Sequence, residues 1–210
     1  MPSTERSGRP RDPEVDRRVE AAALAVFARQ GWAGFSIEAV AREAGVGKAS
    51  VYLRWRSKEE LLTDAVAHAF APIAEIDTGR VRDDLLALAE LLLDLYEGRH
   101  GLAARRMTVE SEVTPGIAER WRDVRAAQVA AARRIVRRAV ERGELPADAP
   151  VTLVIDTLCG AAMLRPVAVP ERLRGRAAAA RSRYAHDLVD FVLAAARAAS
   201  SSATRQESPA

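Results

Sequence analysis

Alanine occupies 43 of the 210 positions, while aromatic residues make up only 5% of the chain. Alanine loses least on entering a helix, whereas strands draw on β-branched and aromatic side chains. The expected fold is therefore all-α, and a β-sandwich or a doubly wound sheet is excluded. With 49% hydrophobic residues the chain can bury a real core, as one large domain or two small ones. No apolar run near 18 residues is evident, so no membrane span is expected. The polar stretch 1–11 lacks the apolar core of a secretory signal, and a cytoplasmic location follows. Cys159 stands alone, which rules out an intrachain disulfide or a cysteine-based metal site.

Helix signals divide the chain. Residues 1–11 read as a flexible basic arm, in which Gly8-Arg9-Pro10-Arg11 has the make-up of a minor-groove contact. Asp12-Pro13-Glu14 supplies an N-cap, a first-turn proline and a first-turn acid. Val19, Ala23, Val26 and Phe27 then form one helical face, which Gly31 stops. Ser36 can cap a second, short helix ending at Gly45-Val46-Gly47, and a third runs from about Lys48 to Trp55. Ser57-Lys58-Glu59-Glu60 is a capping box that opens a fourth helix through Phe70. Five of the ten aromatic residues fall before residue 56, enough bulk to give a small domain its own core. The domain over 12–71 is followed by longer helices over 72–199 and a Ser/Ala/Thr-rich tail, 200–210, expected to be disordered.

Charge is distributed unevenly. Residues 1–56 carry ten Lys/Arg and seven Asp/Glu, whereas 57–210 carry 22 of each, so the whole excess lies in the first quarter. Between 42 and 58, Arg42, Lys48, Arg54, Arg56 and Lys58 face only Glu43. Such a cluster favours a polyanion. Arg133, Arg134, Arg137 and Arg138, by contrast, read as a solvated helix face.

Residues 36–55, SIEAVAREAGVGKASVYLRW, have helix-turn-helix spacing: a short helix, a glycine-containing turn and a second short helix. Val51 and Trp55 would point inward and leave Lys48, Ala49, Ser50, Tyr52, Leu53 and Arg54 outward. A helix fits the major groove, where residues near its N-terminus reach base edges. Lys48 is placed to read bases; Ser36, Tyr52, Arg54 and Lys58 are placed to hold phosphates.

These residues resemble the DNA-binding domain of the tetracycline-repressor-like (TetR) family of bacterial regulators. The likeness runs over 14–62 through Ala22, Phe27, Gly31, Phe35-Ser36-Ile37, Val40-Ala41 and Ala44-Gly45-Val46. It continues through Lys48, Ser50-Val51-Tyr52 and Ser57-Lys58-Glu59-Glu60-Leu61. Leu53, Arg54 and Trp55 stand where members usually carry Tyr or Arg, His, and Phe. Leu53 then offers only an apolar contact, such as to a thymine methyl. The resemblance implies an all-helical, two-domain homodimer whose C-terminal domain binds a small molecule. Arg137-Arg138-Ala139-Val140-Glu141-Arg142-Gly143-Glu144-Leu145 is similar to regulatory domains of actinobacterial members.

The expected function is that of a transcriptional repressor on a partly palindromic double-stranded DNA operator, released by an unidentified effector. The rival is a helical small-molecule-binding or protein-interaction protein without a working operator, which the basic reading helix disfavours. Tyr96, Met107, Trp121, Cys159 and Met163, with Glu110 and Arg125 as charged members, are candidates for a pocket lining. The fourth helix, with Val66 and Phe70 facing the C-terminal domain, is the expected lever. The penultimate helix is apolar on two sides, through Val151, Ile155, Leu158 and Ala162 on one of them. With Tyr184, Leu188, Phe191 and Ala195 of the last helix, these residues are expected to form a four-helix dimer seam.

Enzyme motifs fail. Gly45-Val46-Gly47-Lys48 lacks the first glycine and the Ser/Thr of a phosphate loop, and His68, His100 and His186 show no ligand spacing. No catalytic set, metal or cofactor is expected.

Overall fold

The protein is described here from a computed structural model covering residues 12–206; within that range nothing is said of the side chains of Arg120 and 199–206. The expected arm, 1–11, and the last four residues of the expected tail lie outside the described residues. Among the described residues the chain is helical throughout, with ten α-helices and two 3-10 turns. It divides into two compact units between Ala65 and Val66, inside the fourth helix rather than at residue 72.

The N-terminal unit contains α1 (Pro13–Gly34), α2 (Ile37–Ala44), α3 (Lys48–Tyr52) and the start of α4 (Lys58–Phe70). Its helix ends follow local chemistry. Asp12 Oδ1 accepts the Glu14 N–H at 3.0 Å, and Ser36 Oγ accepts that of Ala39 at 3.2 Å. Gly31 breaks α1 at φ 64°, and one further turn carries the chain on to Gly34. Gly45 ends α2 at φ 66°, a conformation that costs other residues about 1 kcal/mol or more. Ser57 Oγ accepts the Glu60 N–H at 3.1 Å, while Glu60 reaches back to the Arg56 N–H at 2.8 Å. Ser57 thus caps the helix as expected, and only the return bond from Glu60 falls one residue earlier, on Arg56. Phe27, Phe35, Val51, Trp55 and Leu61 fill the core. Phe35 lies edge-on to Phe27 and stacks on Trp32 at 5.9 Å. Each such side chain contributes about 1.5–3 kcal/mol by leaving water.

The C-terminal unit begins with the end of α4 and a 3-10 turn, Ala71–Glu75. It continues with α5 (Val81–Glu97), α6 (Gly101–Val113), α7 (Pro115–Glu141) and α8 (Val151–Ala168). After a 3-10 turn at Glu171–Leu173 come α9 (Arg174–Ala179) and α10 (Arg181–Gln206). Helices α9 and α10 are separated at Ala180, and α10 continues through 200–206, part of the tail expected to be disordered. Helix α5 packs against α6, α7, α8 and α10, and buries Leu85, Leu88, Leu92 and Leu93. Val66 and Phe70 are buried too, Phe70 lying 6.2 Å from the Tyr96 ring and 6.3 Å from that of Trp121.

Helix α8 corrects the expectation that no segment could span a bilayer. Its 18 residues have a mean hydropathy of 1.5, long and apolar enough by composition alone. Here it packs against α5, α7 and α10, with Val154, Ile155, Leu158 and Ala162 buried.

The arginines of the α7 C-terminus are a second correction, because Arg138 is not part of a solvated face. Asp84 is fully buried and accepts the Thr78 N–H at 2.6 Å and its hydroxyl at 2.7 Å. Arg142 and Arg138 lie 3.6 and 3.9 Å from its other oxygen. Arg138 also donates to the Ile76 carbonyl at 2.6 Å. Glu144 completes the group by accepting the Val81 N–H at 2.7 Å, which caps α5. That hydrogen bond and the Arg142 guanidinium hold the Glu144 carboxyl below its ordinary range.

Candidate nucleic-acid interface

Helix α3 is five residues long, and its inner face is Val51 alone. Leu53, Arg54 and Trp55 were expected to continue it. Instead they form a tight turn, with the Leu53 N–H bonded to the Ala49 carbonyl and the Trp55 N–H to that of Val51. Trp55 is buried as expected, and its indole donates to Asp64 at 3.1 Å, anchoring α4. Outward stand Lys48, Ala49, Tyr52 and Leu53, the last 85% exposed. A leucine so exposed beside a tyrosine and a lysine suits contact with base edges and thymine methyls.

Lys48 begins α3, where base reading was expected, but it is engaged. Its ammonium pairs with Glu38 of α2 and lies 5.5 Å from the Tyr52 ring centre. The pair holds the Lys48 pKa up and that of Glu38 down, chiefly through their hydrogen bond. Both groups are about half exposed, so a phosphate or a base edge can compete for the lysine.

Three of the four expected phosphate contacts are engaged within the fold. Arg54 faces inward, with its side chain only 14% exposed. It pairs with Asp16 of α1 and donates to the Ser50 carbonyl at 2.9 Å and hydroxyl at 3.0 Å. An arginine in place of the family's usual histidine has the reach and the forked donors to tie α1 to α3. Ser50 is half-buried and occupied by the same tie. Lys58 donates to the Phe35 carbonyl at 3.2 Å and sits 3.9 Å over the Trp32 ring. Ser36 spends its oxygen on capping α2. Tyr52, 45% exposed, remains on the open face.

Within the helix-turn-helix segment the uncommitted cations are Arg42, at the end of α2, and Arg56, after α3. Both are exposed, and neither has an ion pair among the described residues. The charge count already contained both. What it could not show was which arginines the fold would consume.

The C-terminal unit holds a cavity of about 320 Å³. Of the seven residues expected to line a pocket, Tyr96, Trp121, Arg125, Cys159 and Met163 do so. Met107 is fully buried elsewhere, and Glu110 lies on α6 outside the lining. Periodicity does not tell a helix's cavity side from its packed side, so these two were indistinguishable from the rest. Gln128 of α7 and Phe70 of α4 also line it and were not expected to. Burial pushes the Tyr96 hydroxyl up to about 12 and the Cys159 thiol up to about 11. Neither group is a nucleophile at neutral pH.

The expected dimer seam divides as well. Ile155, Leu158 and Ala162 are buried within the unit and face its own core, not a partner. Tyr184 and Leu188 are half-buried, and Arg165, which also binds Glu97 at 2.6 Å, lies 4.0 Å over the Tyr184 ring. Val151 is half-buried and Ala195 exposed. On α8 and α10 the large apolar side chains left open among the described residues are Leu153, Leu164, Val167 and Phe191, and Leu153 and Phe191 share one groove.

A three-helix head whose third helix follows a glycine turn and exposes Lys48, Tyr52 and Leu53 has the build of a helix-turn-helix DNA-binding protein. The family models place it further. Residues 21–65 match that of the bacterial regulatory proteins of the tetR family, and 75–192 match that of the tetracyclin repressor-like C-terminal domain. This chain belongs to the TetR family of transcriptional regulators, which are DNA-binding proteins and not enzymes. It is 34% identical over 178 residues to an HTH-type transcriptional regulator of Mycobacterium tuberculosis, covering 80% of this chain and 86% of that one. In fold it is similar to the regulator FadR of Bacillus subtilis in complex with stearoyl-CoA (TM-score 0.64, 15% identity, 84% of this chain and 96% of that one). A transcriptional regulator of Saccharomonospora viridis in complex with choline is similar too (TM-score 0.60, 22% identity, 85% and 97%).

Proposed function

We propose that this regulator is a repressor that binds a partly palindromic operator as a homodimer and leaves it when a small molecule fills the C-terminal cavity. The observation that carries the first part is the outward set Lys48, Ala49, Tyr52 and Leu53 on a helix whose other side is locked by Val51 and Trp55. One five-residue helix meets too few bases for useful specificity, so two heads about 34 Å or a multiple apart are required. Leu153, Leu164, Val167 and Phe191 are the residues proposed to join the copies. The protein works where its operator lies, in the cytoplasm.

The cavity supports the second part, together with the different ligands held by the two solved relatives. Phe70, on its wall, is the last residue of the helix that begins at Lys58 beside the head. A ligand that prefers one setting of α4 must, by linkage, bind free protein and operator-bound protein unequally. A coupling of about 1–3 kcal/mol changes operator affinity about 5- to 150-fold.

Selection of bound fragments from the source genome identifies the operator. On that site Lys48→Ala should weaken binding about 5- to 150-fold and relax preference at one position per half-site. Equal binding of every sequence by parent and variant would displace the reading face. Phe191→Glu should give folded monomers by light scattering, whereas Leu158→Glu should unfold the unit. A fully dimeric Phe191→Glu protein would move the seam elsewhere.

A further inference from the structure

The polar groups lining the C-terminal cavity are few, and most are already committed. Thr108 donates its hydroxyl to the Ala104 carbonyl at 3.3 Å. Tyr96 and Cys159 stay protonated, as shown above. Arg125 and Asp156, the two charged residues of the lining, are both exposed and opposite in sign, so they belong to the rim. The remaining surface is apolar, and Phe70, Tyr96 and Trp121 bring three aromatic rings to it. One group is left over. The Gln128 amide nitrogen is buried in the cavity wall and has no hydrogen-bond partner.

A buried amide N–H without an acceptor is costly, and the cost is recovered when an acceptor arrives. No backbone carbonyl of the unit does so. Gln128 has three rotatable bonds, so its amide can turn to meet an acceptor in the cavity that it lines. A ligand oxygen there would gain a hydrogen bond that the protein itself leaves unmade. A full charge would gain nothing comparable, because no counter-ion stands inside and desolvating it is expensive. The volume, about 320 Å³, lies at the small end of ordinary ligand pockets and limits the molecule to a compact one.

We infer that the cavity takes an uncharged, mainly apolar compound carrying a carbonyl-type acceptor, which Gln128 recognises. This rests on the proposal that the cavity is the effector site, and it sets this chain apart from the two structural neighbours named above, whose ligands both carry charge.

Calorimetric titration of the full-length protein with three probes of one shape tests the ligand class: 2-naphthamide, 2-naphthoate and 2-naphthylmethylammonium. The amide should bind at least about tenfold tighter than either ion. Gln128→Leu should lower amide affinity about tenfold without lowering the thermal midpoint, which separates lost recognition from lost fold. Gln128→Glu should turn the preference towards the ammonium. Equal or tighter binding of either ion by the parent overturns the inference. So does no binding of any probe, or an amide affinity that Gln128→Leu leaves unchanged. Operator binding is measured separately with each probe. Amide binding that depends on Gln128 but leaves the operator complex intact would uphold the ligand class and refute the effector role. Release by an ion alone would do the reverse.

Discussion

The two units of this chain are held together in different ways. In the N-terminal unit the helix ends are capped by near neighbours, Asp12 to Glu14, Ser36 to Ala39 and Ser57 to Glu60, and the longest tie named above, Arg54 to Asp16, spans 38 positions. In the C-terminal unit the corresponding contacts join distant residues. Glu144 caps α5 from 63 positions away, Arg165 reaches Glu97 across 68, and Arg82 meets Asp190 across 108 at 2.9 Å. The helix ends of the head are thus specified turn by turn, with aromatic bulk supplying its small core. The regulatory unit depends on its helices having already docked. A surface for reading DNA can be built on the first plan, because it needs only outward side chains on a short helix. A hollow for a ligand needs the second, because its walls come from α4, α5, α6, α7 and α8 together.

The comparison is broken most sharply at Asp84. Asp84→Ala leaves Arg138 and Arg142 without their buried carboxylate. Because both arginines reach solvent in part, the expected loss is about 2–3 kcal/mol rather than the larger cost of a fully enclosed pair. Urea unfolding should show it. A loss below about 0.5 kcal/mol would mean that the long-range ties decorate the unit instead of holding it.

A smaller effect distinguishes the two kinds of arginine in the head. Arg54→Ala should lower stability by about 1–2 kcal/mol and leave the salt dependence of operator binding unchanged. Arg56→Ala should do the opposite, flattening the log–log salt slope by about 0.9 per lost phosphate contact. Should Arg54→Ala flatten the slope instead, the tie to Asp16 opens on DNA and the expectation from charge alone returns.

The smallest expected effect is alkaline and confined to the cavity. Cys159 has an ordinary pKa near 9.0, raised on folding to about 11, and Tyr96 goes from 10.0 to about 12, both by burial. The folded protein holds these protons more tightly than the unfolded chain. Their contribution to stability is therefore complete below pH 9 and is lost as pH rises through about 11 and 12. Denaturation midpoints measured from pH 8 to 11 should fall, and Cys159→Ala should remove the earlier part of that fall. A flat profile in the parent would show that water reaches the thiol.

The helical class, the helix-turn-helix and the inward pair Val51 and Trp55 could be read without coordinates. Periodicity and capping act over a few residues, and those few residues are adjacent in the chain. The same short range explains the family likeness across residues 14–62. The fate of each charge was a different matter. Arg54, Arg56 and Lys58 lie within five positions and carry the same sign, yet one ties α1 to α3, one is open and one covers a tryptophan. Leu158 and Phe191 were both expected at the dimer seam, yet one is fully buried and the other 66% exposed. Which face of an all-round apolar helix meets its own core depends on where its neighbours come to rest. Distant segments decide that, so only the tertiary structure could separate seam from core, and consumed charges from available ones.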